Sequence, residues 1–193
     1  MHSFVLIVLE CYPLCFKGST FLMPMIKITE KQREDCIQYA QDLIRSGKQF
    51  NRYDQPEYTQ VKRTALGKMG EVAFYNLLTE SGIETDYKKI LTILPHADSF
   101  DFLMPNGNYK IDIKTIKSNH RYLLVPKDQS AKDIYVCIQM SGLEAYMVGY
   151  KWYNDLILET DEQLSNRMPE GRCYNSTLDV LKDVSLLLKY WYF

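Results

Sequence analysis

The dipeptide Asn106-Gly107 limits what this chain can fold into more than any other feature of its sequence. It lies between two stretches in which polar and apolar residues alternate, 99–104 and 109–116. Alternation with a period of two is typical of β-strands, and Asn-Gly between two such stretches is the strongest short-range signal for a hairpin with a two-residue turn. The sequence therefore predicts an antiparallel pair of strands at this point.

The register of this hairpin brings two carboxylates to one face. With two loop residues, facing positions add up to the same number, so Leu103 faces Lys110 and Asp101 lies opposite Asp112. Lys114 shares the face of Asp112 because side chains two residues apart on a strand point the same way. Like charges in directly facing positions destabilise a sheet. A divalent cation would offset this repulsion, and carboxylate oxygens are how Mg²⁺ is held at phosphate-processing sites.

The opposite face of the hairpin is predicted to be buried. Its side chains are all apolar and belong to Phe100, Phe102, Ile111 and Ile113. The face with the carboxylates would then be the one that carries the chemistry. In the simpler alternative, Asp101 and Asp112 are hydrated surface charges that Lys114 neutralises.

The remaining apolar residues predict helices before and after a central group of strands. Helical spacing predicts a helix over about 29–45, opened by a capping box of Thr29 with Gln32, and a second helix over about 57–81. Strand-like stretches lie at 90–94, 99–104, 109–116, 134–140 and 143–150, and helical spacing returns over 152–164 and after Ser176. This order predicts an α/β fold with a central mixed sheet of about five strands flanked by helices.

Composition favours a single globular domain. The 193 residues are 46% hydrophobic and 24% charged, and 23 Lys and Arg against 24 Asp and Glu leave a net charge of −1. The length suits one domain, and the charge gives no overall attraction to nucleic acid, so a polyanion must meet a local patch. The five cysteines are an odd number without metal-binding spacing, which favours a reduced, cytoplasmic setting.

The N-terminal stretch stands apart from this domain. Its apolar run, residues 4–9, is too short to cross a membrane, and no small-residue cleavage site of a secretion signal follows it. Met25 begins a sequence typical of a cytosolic start. Residues 1–24 are therefore expected to be a loose extension or the product of a misplaced start. Residues 25–193 are expected to form one domain, with its core motifs within 57–150.

Two glycines interrupt the second predicted helix. Gly67 and Gly70 each cost about 1 kcal/mol relative to Ala in a helix interior, so a packing or access reason is expected. The absent side chain at Gly67 would let another backbone or a phosphate approach beside Glu71. Glu71 would then reach a metal ion directly or through water. In the alternative, Glu71 is an exposed residue that pairs with Lys68 three positions earlier.

Together these motifs resemble those of the PD-(D/E)xK nuclease superfamily, which has the restriction endonuclease-like fold. The resemblance consists of residues 67–71 on a helix, 99–101 on a strand and 111–115 on the next strand. The layout is similar to that of Holliday-junction resolvases and small restriction-like endonucleases. Phe100 stands where the superfamily motif has proline, at a position that varies widely among its members.

The resemblance implies a Mg²⁺-dependent endonuclease that hydrolyses phosphodiester bonds in DNA, with Mn²⁺ able to replace Mg²⁺. It implies that Asp101 and Asp112 hold the metal ion. The backbone carbonyl of Ile113 would be a further ligand, and Glu71 would complete the shell. Lys114 would orient or help to deprotonate the attacking water. A junction resolvase or a repair nuclease would share this site, and a non-catalytic relative that binds nucleic acid or protein is the alternative from another class.

Basic residues that follow the second hairpin strand are the candidates for DNA contacts. The predicted contacts to the DNA backbone are those of Lys117, His120, Arg121 and Lys127, with Lys68 added from the helix. The alternative for this run is a hydrated loop. The apolar C-terminal end is expected to pack on the core, and such an end also suits a homodimer, as paired cuts in duplex DNA require.

Overall fold

A computed structural model describes residues 24–47, 55–92, 100–104, 106, 108–127, 131–167 and 172–192. Its elements, in chain order, are β1 (Met25–Lys27), α1 (Glu30–Arg45), α2 (Glu57–Glu80), α3 (Tyr87–Ile90), β2 (Phe102–Met104), β3 (Tyr109–Lys117), β4 (Tyr122–Pro126), β5 (Ile134–Ser141), β6 (Glu144–Trp152), α4 (Tyr153–Leu158), α5 (Glu162–Arg167), β7 (Cys173–Thr177), a short 3-10 helix (Leu178–Val180) and α6 (Val184–Tyr192). Among the described helices, none is both long enough and apolar enough to cross a membrane. Of the expected loose extension, residues 1–23 lie outside the described part of the chain.

The two long helices begin and end where the sequence predicts. At the start of α1, the hydroxyl of Thr29 accepts a hydrogen bond from the backbone N–H of Gln32 at 3.1 Å. The side chain of Gln32 in turn accepts one from the backbone N–H of Thr29 at 2.9 Å. Just beyond α2, Gly82 has a φ of +77°, the left-handed conformation that glycine adopts without strain. The capping box is therefore confirmed, and Gly82 follows the end of α2.

The central sheet has five strands in the order β1-β6-β5-β3-β2. β3 and β5 are parallel, whereas the other neighbouring pairs are antiparallel. Side chains from α1, α2 and α6 join one face of this sheet in the main hydrophobic core. The prediction of an α/β fold with a mixed sheet of about five strands flanked by helices is confirmed.

The identity of one strand differs from the prediction. The stretch predicted as a strand at 90–94 starts with the last residue of α3, and the hydroxyl of Thr92 donates a hydrogen bond back to the carbonyl of Lys88 at 2.7 Å. Its last two residues lie outside the described part. The fifth strand of the sheet is β1, which pairs with β6 over only three residues. A strand this short contains too few alternations for its pattern to be recognised.

A second, two-stranded sheet covers part of the face opposite to the main core. It consists of β4 and β7, which pair antiparallel and are not predicted from the sequence. The residues buried beneath it form a second core of Ile116, Leu123, Val125, Tyr135, Cys137, Val148, Leu156 and Leu178. Ile116 shares the strand face of Asp112 and Lys114. The face that carries Asp112 and Lys114 is therefore covered at its far end, where Ile116 enters the second core.

The helix predicted over 152–164 is two helices. α4 ends at Leu158, and α5 begins at Glu162. Between them, Oδ1 of Asp161 accepts hydrogen bonds from the backbone N–H groups of Gln163 and Leu164 at 2.9 and 3.2 Å. Asp161 therefore caps the start of a second helix. Because one helix follows the other closely, the apolar residues keep a helical spacing across the break between them.

Candidate active site

The hairpin has the register that the sequence predicts. Leu103 faces Lys110, and the pairs on either side of it keep the same sum of residue numbers. The turn itself reaches further than Asn106-Gly107, because Asn108 has a φ of +55°. Asparagine tolerates this left-handed conformation better than most residues. The predicted alignment of the two strands is thus confirmed, with a turn that includes Asn108.

Asp101 lies just before β2 and is tied to β3 by two hydrogen bonds. Its backbone N–H donates to the carbonyl of Ile111 at 2.9 Å, and its carboxylate oxygen Oδ2 accepts from the backbone N–H of Ile113 at 2.6 Å. The regular pairing of the strands ends at Phe102. The prediction that Asp101 lies directly opposite Asp112 is therefore refined: its carboxylate reaches one residue further, to Ile113.

Side chains along β3 alternate as predicted. Ile111 and Ile113 are buried in the main core, whereas Asp112 and Lys114 point to the other face and are partly exposed. Nζ of Lys114 lies 2.6 Å from Oδ2 of Asp112. Phe100 departs from the prediction, because it is partly exposed and its ring centre lies 5.9 Å from Nζ of Lys110. The chain has left the pleat of β2 at this residue, so Phe100 does not follow the alternation.

α2 meets β3 through its second glycine. A Cβ atom added at Gly70 would lie 2.0 Å from Oγ1 of Thr115 and 3.1 Å from its Cβ, so only glycine fits there. The hydroxyl of Thr115 also donates to the carbonyl of Gly67 at 3.2 Å. By contrast, a Cβ atom at Gly67 would have no described atom within 4 Å. The side chain of Thr115 thus packs closely on Gly70, directly before Glu71, whereas the space beside Gly67 is open among the described residues and the approach of a phosphate there stays a prediction.

Glu71 is held by a lysine one helical turn earlier. Nζ of Lys68 lies 2.5 Å from Oε2 of Glu71, and the two side chains are only 10% and 15% exposed. The ammonium of Lys68 also lies 4.5 Å from the ring centre of Tyr39 on α1. The pairing offered as an alternative from the sequence is present, but the expectation that it is exposed is wrong, because α1 and the sheet cover this part of α2.

Electrostatics connect Glu71 with the two aspartates. Burial raises the pKa of Glu71 to about 8, the charges of Asp101 and Asp112 add to this rise, and Lys68 opposes it. Burial and the charge of Asp112 raise the pKa of Asp101 to about 6, against the stabilising effect of the N–H of Ile113. Charges influence each other's protonation to this extent only at short range. These three carboxylates, from α2, the start of β2 and β3, interact electrostatically, and we refer to them as the acidic cluster.

The oxygen donors of this cluster suit a hard divalent cation. Oδ2 of Asp112 is buried and, among the described residues, accepts no aligned hydrogen bond even though Lys114 is near. A buried oxygen of this kind is a natural ligand for Mg²⁺, which takes one or two protein carboxylates and keeps several waters. Glu71 fits less directly, since its carboxylate is turned to Lys68. Within the described ranges, no three Asp, Glu, His or Cys side chains already enclose a metal position.

Each carboxylate of the cluster has a positively charged or hydrogen-bonding partner within the protein. Glu71 has Lys68, Asp101 has the N–H of Ile113, and Asp112 has Lys114. Two ammonium groups against three carboxylates leave a net charge of −1 when all are ionised. An incoming cation would therefore be attracted to the cluster.

The basic residues predicted to contact DNA fall into three places. Lys117, His120 and Arg121 are exposed together at the end of β3 and in the turn to β4, where the N–H of His120 donates to the carbonyl of Lys117 at 3.1 Å. Lys127 lies at the far end of β4, 2.7 Å from Glu162. Lys68 is inside the cluster described above and is not part of the exposed surface. The predicted patch is thus continuous only from Lys117 to Arg121.

Sequence reasoning missed the environment of Lys68. The spacing of Lys68 and Glu71 was visible, but their burial depends on α1, whose Tyr39 lies far away in the sequence. Only the small residues Gly67 and Gly70 indicated that this part of α2 is approached closely.

A comparison of the chain with models of known protein families, with curated proteins and with solved structures found no match. The functional assignment therefore depends on the chemistry of the cluster and on the resemblance of its motifs.

Proposed function

We propose that this protein is a metal-dependent endonuclease that hydrolyses phosphodiester bonds in DNA with a site of the PD-(D/E)xK type. The observation that supports it most is the electrostatic coupling of Glu71 with Asp101 and Asp112, together with Lys114 at 2.6 Å from Asp112. Three buried or partly buried carboxylates that repel one another are costly for a fold, and a bound cation would offset that cost. A perturbed acidic cluster of this kind is a functional-site signal with a physical basis.

The proposed ligands are Asp101, Asp112 and the backbone carbonyl of Ile113, with Glu71 completing the shell. Mg²⁺ or Mn²⁺ in this place would polarise a phosphate oxygen and lower the pKa of a bound water. Asp101 is well placed for the role because the N–H of Ile113 fixes its carboxylate on β3.

Lys114 would orient the attacking water and stabilise negative charge that develops at the phosphate. Its ammonium is compact and sits against Asp112 at 2.6 Å, so it is positioned before any substrate arrives. The ring of Tyr135 lies 5.8 Å below this ammonium and limits where it can move. Two elements thus hold the proposed general acid–base group in place.

DNA would lie across the exposed end of β3. Lys117 lies three residues beyond Lys114, about 10 Å further along the strand and on its other face, and would contact the phosphate backbone at the end of the strand together with His120 and Arg121. The reaction would take place in the cytoplasm, where the buried thiols of Cys36, Cys137 and Cys173 remain reduced.

The test is a cleavage panel on linear duplex, single-stranded, branched and methylated DNA, with RNA as a control, in Mg²⁺, Mn²⁺ or EDTA. We expect metal-dependent cuts by the wild type and none by Asp112→Ala or Lys114→Ala. Asp42→Ala, which changes an exposed carboxylate on α1, should cut like the wild type. A preference for branched DNA would identify a junction resolvase. Cleavage that survives both site substitutions, or that needs no metal, would contradict the proposal.

A further inference from the structure

Lys68 is a charged side chain in a place where charges are costly. It is 9% exposed and lies in the middle of α2, between α1 and the sheet. A buried ammonium is tolerated only when it is paired and well surrounded. Lys68 meets both conditions, because Glu71 lies 2.5 Å away and the ring of Tyr39 lies 4.5 Å from Nζ. The carboxylate and the aromatic ring beside Nζ are therefore suited to hold an ammonium group at this position.

The same part of α2 is fixed on the hairpin strand. Gly70 leaves no room for a Cβ atom beside Thr115, and Thr115 donates a hydrogen bond to the carbonyl of Gly67. Residues 67–71 thus have one position relative to β3. In that position the carboxylate of Glu71 is attracted by Lys68 and repelled by Asp101 and Asp112.

We propose that Lys68 is a positioning residue that holds Glu71 beside Asp101 and Asp112 and acts on the metal site only through Glu71. This inference rests on the proposed function, because it assumes that the three carboxylates serve a metal ion. It replaces the role in DNA binding expected from the sequence. Lys68 is too deeply buried to contact a phosphate, whereas Lys114 stands directly beside Asp112.

The physical reason is the cost of an uncompensated buried carboxylate. Without Lys68, Glu71 would face two like charges with no counter-ion of its own. The loss of one partner from a buried ion pair is strongly unfavourable, so Glu71 would leave its position. This movement removes its contribution to the metal site. Residues that orient metal ligands in this way typically affect metal affinity by about 10–100-fold when they are substituted.

A double-mutant cycle on Mn²⁺ affinity, measured by titration calorimetry on the full chain, tests this inference. Lys68→Met and Glu71→Gln should each weaken Mn²⁺ binding by about 10-fold or more, and the double variant should bind like Glu71→Gln alone. Lys68→Arg should restore most of the affinity, since it keeps the charge. Lys62→Met, which changes an exposed lysine on the same helix, should have no effect.

The outcomes separate this inference from the proposed function. If the two single losses multiply in the double variant, or if Lys68→Met binds Mn²⁺ like the wild type, the positioning role is wrong. If Lys68→Met does not fold, the comparison of Glu71→Gln with the double variant still decides the question. Neither of these two variants has a carboxylate at position 71, so neither contains a buried carboxylate without a counter-ion. A wild type that binds no Mn²⁺ would overturn the proposed function and this inference together. Normal Mn²⁺ binding with multiplied losses would overturn this inference alone.

Discussion

Burial decides the protonation of the acidic residues in the cluster. It raises the pKa of Glu71 to about 8 and that of Asp101 to about 6, from ordinary values of 4.5 and 3.8. At pH values between the ordinary pKa and the raised pKa of each residue, the folded protein holds a proton that the unfolded chain has released. Folding is therefore linked to proton uptake at this site when no metal is present.

The stability of the metal-free protein should fall as pH rises from about 4 to 8. The folded state binds more protons than the unfolded state over this range, so the free energy of unfolding decreases with pH. Above pH 7 most of the effect belongs to Glu71, because Asp101 is half ionised at about pH 6 and largely ionised above pH 7. Urea unfolding in EDTA between pH 5 and 8 measures this slope.

Glu71→Gln is the matched control for this prediction, because an amide does not titrate and keeps the side-chain volume. Its free energy of unfolding should change less between pH 6 and 8 than that of the wild type. Titrating groups outside the acidic cluster contribute equally to both proteins and cancel in the comparison. Equal slopes in the two proteins would show that Glu71 carries no raised pKa.

At the scale of elements, the contact of α2 with β3 controls how the cluster is assembled. Thr115 lies against Gly70 and donates to the carbonyl of Gly67, so helix and strand are in close contact one residue from Glu71. The two glycines have different surroundings, although both lie in the helix interior. This difference gives a direct test of the contact.

Gly70→Ala should destabilise the protein, whereas Gly67→Ala should not. The added methyl group at Gly70 would overlap Thr115 and force α2 away from β3, and overpacking of this kind costs about 1–3 kcal/mol. At Gly67 the space is open among the described residues, so the better helix propensity of Ala should leave stability equal or higher. Thermal unfolding of both variants measures the difference. A Gly70→Ala protein as stable as Gly67→Ala would contradict the close contact.

Local signals explain which elements the sequence predicts well. The hairpin register follows from Asn-Gly turn chemistry, and α1 follows from its capping box, because both depend on residues close together in the chain. β1, β4 and β7 are missed because each is only three to five residues long and forms through distant partners. Secondary structure that depends on tertiary pairing leaves little pattern in a short segment.

For the molecule as a whole, the two cores determine which part of the site is open. The main core buries Ile111 and Ile113, and the second core begins at Ile116 on the opposite face. Asp112 and Lys114 lie between these buried regions. The residue types of the site are predictable from the sequence, but the burial of Lys68 and the cover over Ile116 are not, because both come from segments far away in the chain.

The central claim is that Asp101 and its neighbours bind a divalent cation, and the most direct measurement is a thermal shift with Mn²⁺. At about 100 times the dissociation constant, a ligand of the native state adds about 2.7 kcal/mol, which is about 5–10 °C for a domain of this size. The wild type and the exposed-site control Asp42→Ala should show this rise, and Asp101→Ala should not. Equal rises in all three proteins, or none in the wild type, would contradict the claim.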